Sequence, residues 1–61
     1  MDAREELYLF IKKNGPMAMN RIAAFEIKHM GGRMGMIEEL IENGYVEENN
    51  GLYAVTAKSF E

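Results

Sequence analysis

The chain has no cysteine and no tryptophan, and among its 61 residues there is one proline, one histidine and one serine. Without cysteine it forms no disulfide bond and no thiolate metal site. The single histidine, His29, supplies too few ligands for a zinc-type site. The single serine, Ser59, has no partner base at a useful spacing, so no activated nucleophile is indicated. We therefore expect no metal, no cofactor and no enzyme activity.

Long apolar runs are also absent. The longest run, Leu7 to Ile11, is far shorter than the roughly 20 residues that a membrane-spanning helix needs. No basic segment precedes a long apolar run, so no signal peptide is indicated. We expect a cytoplasmic protein with no membrane contact, folded as one domain over residues 1–61 with a short tail at 57–61. A chain of this length buries only about 60% of its unfolded surface, so its core is small.

Charge is unevenly distributed along the sequence, although the net charge is only −3. Residues 12–36 carry five bases against one acid, a balance of +4, whereas residues 37–50 carry five acids and no base, a balance of −5. The bases are Lys12, Lys13, Arg21, Lys28 and Arg33, and the acids are Glu38, Glu39, Glu42, Glu47 and Glu48. Both sets are compatible with solvated surface, but a basic segment can also bind a polyanion and an acidic one a basic partner.

Apolar periodicity predicts three helices. The first runs from about residue 3 to 13, with Asp2 as its N-cap, and ends at Asn14-Gly15-Pro16. The second runs from about residue 19 to 28. The third spans about 33–43, with a glycine in its first turn and Gly44 as the residue that terminates it in a left-handed conformation.

The predicted core draws on all three helices and on the connection between the first two. In the second helix, Phe25 and Glu26 compete for the same inward position, and we favour Phe25, helped by Ile27. Tyr8 is expected at the edge of the core. The other residues expected inside are Leu7, Phe10, Ile11, Met17, Met19, Ile22, Ala23, Ile37, Leu40 and Ile41. Methionine suits a small irregular core because its side chain adapts to gaps.

A β-hairpin is predicted after the third helix. Asn50-Gly51 is the strongest short hairpin signal, because both central residues of a type I′ turn need a positive φ. That turn places Val46 opposite Val55 and Glu48 opposite Tyr53. Phe60 is expected to fold back onto this end of the protein. The fold class is therefore mainly α with a C-terminal β-hairpin, an α+β arrangement in one small domain.

From Leu7 to Thr56 the chain resembles the winged helix-turn-helix family. The resemblance is carried by KKNGPM at the end of the first helix, RIAAF in the second, and LIENGYVEENNGLYAVT at the end. Ile22-Ala23 and Leu40 match the interval between the family's Leu-Ala pair and the last core leucine of its recognition helix. The resemblance implies a three-helix winged fold and a DNA-binding role in transcription regulation, with the third helix at the major groove.

The resemblance and the basic segment together predict a small regulator that binds double-stranded DNA, mainly through phosphates, using the second and third helices. Near the outward positions of the third helix, only Arg33 has the donor fork that reads guanine. The predicted nucleic-acid-binding residues are Arg33, Lys28, Arg21, Lys12 and Lys13.

The alternative is an acidic winged-helix interaction module, an adaptor or inhibitor that binds a protein and no nucleic acid. Its predicted contacts are Met34, Gly35 and Met36, where a glycine lets another backbone approach closely. The glutamates of the third helix and of the hairpin are a second possible contact face. A homodimer is a further option, which analytical ultracentrifugation tests.

Overall fold

A computed structural model of the chain describes residues 2–29, 31 and 35–60. Its elements, in order, are α1 (Ala3–Asn14), β1 (Met17–Ala18), α2 (Met19–His29), α3 (Met36–Glu42), β2 (Val46–Asn49) and β3 (Leu52–Val55). The strands form one antiparallel sheet in the order β1-β3-β2. The predicted α+β class is confirmed, and the layout is winged-helix-like. None of the described helices has the length and apolar composition to cross a membrane.

The sheet has a third strand, β1, which lies in the predicted short connection between the first two helices. In β1, Met17 pairs with Tyr53 and Ala18 pairs with Leu52. Met17 is buried, so this short strand also closes one side of the core. Two residues are too few to show the alternation that marks a strand, and the pairing depends on β3, which is distant in sequence.

The predicted hairpin is confirmed in register and in turn geometry. Val46 lies opposite Val55, and Glu48 lies opposite Tyr53. Asn50 and Gly51 have φ angles of 54° and 84°, as a type I′ turn requires. The turn is further held by the Gly51 N–H, which donates to the Glu48 carboxylate over 2.6 Å.

The third helix is shorter than the predicted span of 33–43. Gly35 lies before its first residue with a left-handed φ of 91°, rather than inside the first turn. The predicted end is confirmed: Gly44 has a φ of 83°, and its N–H donates to the Ile41 carbonyl. The Tyr45 N–H donates to the Leu40 carbonyl, which completes a Schellman motif.

The core gathers side chains from every helix and from two strands. Tyr8, expected at the edge, is fully part of it, whereas Met19 was wrongly placed inside and is 39% exposed. Ile41, also expected inside, is 36% exposed. Phe60 packs against the core, as predicted. The buried apolar residues are Leu7, Tyr8, Ile11, Met17, Ile22, Met36, Ile37, Leu40 and Val46.

The preference for Phe25 over Glu26 was wrong. Glu26 is 1% exposed, Phe25 is half-buried, and Ile27, expected to support the core, is 61% exposed. The Glu26 carboxylate accepts a hydrogen bond from the Ile37 N–H over 3.2 Å. That N–H lies in the first turn of α3, where it has no acceptor within the helix, and Gly35 has no side chain to cap it. A buried carboxylate from α2 therefore caps the start of α3.

Candidate nucleic-acid interface

Three aromatic rings stack in a row on the surface that α1 and α2 share. The Phe10 and Phe25 ring centroids are 4.2 Å apart at 20°, and those of Phe25 and His29 are 4.4 Å apart at 30°. Two rings stacked on Phe25 at these distances must occupy its opposite faces, so Phe25 lies in the middle of the row. We call this row (Phe10, Phe25 and His29) the ring column. Its His29 end is exposed to solvent.

The helical repeat explains why α2 presents these side chains together. Arg21, Phe25 and His29 are four residues apart, so they lie one above another on the same face of the helix. Phe10 joins them from the facing side of α1, where it packs partly against the core. The column is therefore a product of α1 packing on α2, not of either helix alone.

Cations border the ring column. The Arg21 guanidinium lies over the Phe10 ring, 5.8 Å from its centroid, a cation–π geometry. Arg21 and Lys28 both line a shallow depression of about 260 Å³ that we call the cationic depression. The residues lining it are Phe10, Arg21, Ala24, Phe25, Lys28 and His29. No carboxylate is among them, so the depression presents positive charge beside aromatic surface.

The other predicted DNA-binding residues lie elsewhere. The Lys12 ammonium is 6.0 Å from the Tyr8 ring centroid, beside a different aromatic group. Lys13 is exposed in the last turn of α1, and it does not line the cationic depression. Arg33 lies outside the described residues. Of the five predicted bases, the structure thus brings Arg21 and Lys28 together.

Negative charge lies on α3 and on the hairpin. Glu38 and Glu42 are exposed on α3, and Glu47 and Glu48 are exposed on β2. No side chain from Met36 to Glu42 carries a hydrogen-bond donor when its carboxylates are ionised. None of the described side chains of α3 therefore donates to a base edge or to a phosphate.

The predicted protein-contact residues have three different outcomes. Met34 lies outside the described residues. Met36 is 4% exposed and packs in the core, so its side chain does not face a partner in this structure. At Gly35 the left-handed φ alone accounts for glycine, since a Cβ there meets only the Glu38 carboxylate at 3.8 Å.

A larger depression, of about 480 Å³, lies between the start of α1 and α3. Its charged residues are already paired: the Arg4 guanidinium lies 3.2 Å from the Asp2 carboxylate and 3.3 Å from that of Glu39. The hydrogen bond from the Arg4 side chain lowers the pKa of Asp2, and the same contact raises the pKa of Arg4. This group joins α1 to α3 and has a net negative charge, so it presents no free cation to a phosphate.

Within residues 2–29, 31 and 35–60, no group of three or more histidines and carboxylates is placed to hold a metal ion. No protein-family model, curated protein or solved structure matches the chain. Function must therefore be inferred from the geometry of the chain itself.

Sequence reasoning selected Arg21 and Lys28 by charge but missed Phe10, Phe25 and His29 as surface features. The four-residue spacing of Arg21, Phe25 and His29 was the available signal. In the sequence, the same spacing bears equally on which residue of the second helix enters the core. A pattern of core positions gives no indication that two half-buried rings stack across a helix pair.

Proposed function

We propose that this protein is a small winged-helix DNA-binding regulator whose contacts go mainly to phosphates, through Arg21 and Lys28 of α2. The observation that carries the proposal is the cationic depression, which is lined by two bases and by no carboxylate. Both ion pairs within the described residues involve Arg4, so neither base is neutralised by a described carboxylate. Cations placed in this way bind phosphates and release the counterions condensed on DNA.

The acidic surface of α3 favours phosphate contact over base reading. Bases are read by donors and acceptors that enter a groove, whereas phosphate contacts fix position and carry no sequence information directly. Glu38 and Glu42 have no donors and repel phosphates. We therefore propose that α2 faces the DNA backbone and that the exposed glutamates of α3 are turned away from it.

Fluorescence anisotropy with a labelled mixed-sequence duplex tests the proposal. At about 50 mM salt the parent should bind, and the double variant Arg21→Ala, Lys28→Ala should bind about tenfold more weakly or worse. If each base neutralises one phosphate, the slope of log affinity against log salt should decrease by about 1.8.

The matched control is the double variant Lys12→Ala, Lys13→Ala, which removes the same charge from the end of α1. It should keep a slope closer to that of the parent. Equal losses in the two double variants would indicate a diffuse charge effect instead of a site on α2. Absence of parent binding at low salt would reject the proposal.

A second candidate function is the acidic interaction module. It is favoured by the described face of α3, where the exposed Glu38 and Glu42 lie four residues apart on one stripe and the partly exposed Ile41 lies beside that stripe. An apolar residue beside carboxylates suits a basic protein partner. If this function holds, a partner captured from host extract by the parent should be lost with Glu38→Gln, Glu42→Gln and kept with Arg21→Ala, Lys28→Ala. Under the DNA-binding proposal the pattern for DNA is reversed: the arginine and lysine substitutions weaken binding, and the two glutamate substitutions leave it intact.

A further inference from the structure

We propose that the His29 end of the ring column binds an unpaired DNA base, so that DNA with a single-stranded segment is the preferred ligand of the cationic depression. The inference rests on the proposed function, because Arg21 and Lys28 would hold the phosphates of the same strand. It adds the class of DNA that the site selects and the residue that selects it.

The stacked rings provide the first argument. Phe25 has both faces covered, by Phe10 on one side and by His29 on the other. His29 has one face against Phe25, and its side chain is exposed. A planar base that stacks on the outer face of His29 continues a column that the protein has already built. Unpaired bases are commonly bound in this way, by stacking on aromatic side chains that include histidine.

The position of the cations provides the second argument. Lys28 and Arg21 line the same depression as His29, so a strand whose base stacks on His29 passes its phosphates beside two positive charges. Arg21 lies over the Phe10 ring. Arg21 is in neither of the ion pairs formed among the described residues, so its N–H groups are available to donate to a phosphate. Aromatic stacking beside a positive groove is the combination that proteins use for single strands.

The state of the bases in each form of DNA provides the third argument. In a duplex each internal base is stacked between its neighbours, and a side chain reaches its face only if the base step is unstacked or the base is flipped out of the helix, which costs free energy. An unpaired base has a free face. The described side chains of α3 include no donor to read base edges in a groove, whereas the exposed ring of His29 offers a stacking contact.

A pair of single strands that differ only in their bases tests the inference. Both are labelled deoxyribose strands of about ten nucleotides: one is oligothymidine, and the other carries abasic sites throughout, so that the phosphate charge is equal. By anisotropy at about 50 mM salt, the parent should bind oligothymidine about tenfold more tightly than the abasic strand.

Two substitutions at His29 locate the effect. His29→Gln removes the ring, and should lower affinity for oligothymidine to that for the abasic strand, whose own affinity stays unchanged. His29→Phe keeps a ring and should retain the preference. Because His29 is the exposed last residue of α2, neither change touches the core. Thermal unfolding followed by circular dichroism verifies that both variants fold as the parent does.

The outcomes separate the two proposals. Equal parent affinity for oligothymidine and for the abasic strand overturns base stacking but leaves the phosphate contacts standing. A preference that survives His29→Gln also overturns the inference, because it places the base elsewhere. If neither strand binds and the mixed-sequence duplex does not bind either, the proposed function itself fails.

Discussion

Two groups of aromatic rings and cations each include one ring from α1, and they differ in how many of their polar groups are hydrogen-bonded within the protein. In the first, Tyr8, Tyr45 and Phe60 pack with ring centroids 4.6–6.0 Å apart. We call these three rings and Lys58 the tail cluster. The Lys58 ammonium lies 4.5 Å from the Tyr45 ring centroid and donates to the Asn43 carbonyl over 2.7 Å. The Tyr8 hydroxyl donates to the Lys58 carbonyl over 3.2 Å.

The second group is the ring column with Arg21 and Lys28, and its charged ends face solvent. The two groups contain similar residue types, so composition does not distinguish them. Their hydrogen bonds do distinguish them. The Lys58 ammonium of the tail cluster donates to the carbonyl of Asn43 at the C-terminal end of α3, where positive charge stabilises a helix. The difference indicates that the tail cluster stabilises the fold and that the ring column is available to bind a ligand.

The segment expected to be a tail is accordingly part of the fold through Phe60. The Thr56 hydroxyl donates to the Gly44 carbonyl over 2.6 Å, and the Thr56 N–H donates to the Tyr45 carbonyl over 2.9 Å. These bonds return the chain beneath the end of α3, so that Phe60 reaches Tyr45 and Tyr8.

The largest expected effect comes from breaking the tail cluster. Tyr8→Ala should lower the free energy of unfolding by about 3 kcal/mol or more, because it removes a buried aromatic ring and leaves a cavity. The matched change in the ring column, Phe25→Ala, should cost only about 1–2 kcal/mol, since Phe25 is half-buried. Urea unfolding measures both. A Phe25→Ala cost equal to that of Tyr8→Ala would remove the distinction between the groups.

The next largest effect is expected at Glu26, which lies on the side of α2 opposite the exposed bases. Glu26→Ala should cost about 2 kcal/mol, because the Ile37 N–H loses its buried acceptor. Glu26→Gln keeps a side-chain oxygen and should cost less. Hydrogen exchange of the Ile37 amide should accelerate in the alanine variant. Equal stability of the two variants would show that the hydrogen bond does not hold α3 to α2.

Smaller changes in the free energy of unfolding are expected when the cation of each group is replaced, Lys58 in the tail cluster and Arg21 beside the ring column. Lys58→Met should cost about 1 kcal/mol, because it removes both the contact with the Tyr45 ring and the charge at the end of α3. Arg21→Met should change the free energy of unfolding by less than about 0.5 kcal/mol, as surface substitutions usually do, while weakening DNA binding. Chemical denaturation and anisotropy together check both, and a reversed order of the two stabilities would contradict the assignment.

The smallest effect concerns pH at the start of α1. The Arg4 side chain lowers the pKa of Asp2 below its ordinary value of 3.8. The ionised Asp2 therefore adds stability that is present in full above that value, and this stability is lost as pH falls through the lower pKa of the folded state. Asp2→Asn removes this contribution. The stability difference between parent and variant should narrow as pH falls from 6 towards 2, and a difference that widens would contradict it.

Local backbone requirements explain what could be predicted from the sequence. Asp2 caps α1, Gly44 ends α3 and Asn50-Gly51 forms the turn because each position needs a short acceptor or a positive φ that few residues supply. Such signals depend on residues that are neighbours in sequence, so they can be recognised before the fold is known. The hairpin register followed directly from the turn.

Contacts between distant residues explain what could not be predicted. Glu26 is buried because an N–H eleven residues later needs its carboxylate, and no apolar period indicates that. β1 exists because β3 pairs with it. The ring column requires Phe10 of α1 to meet Phe25 of α2, which is known only once the helices are packed.

The central claim is that α2, and not α3, faces DNA. The most direct measurement is a titration of ¹⁵N-labelled protein with short oligothymidine, in which the amide chemical shifts are monitored by NMR. The largest changes should fall at Arg21, Ala24, Phe25, Lys28 and His29, with little change in α3 or in the hairpin. Changes concentrated on Glu38 to Glu42 and on the hairpin, with none on α2, would contradict the claim.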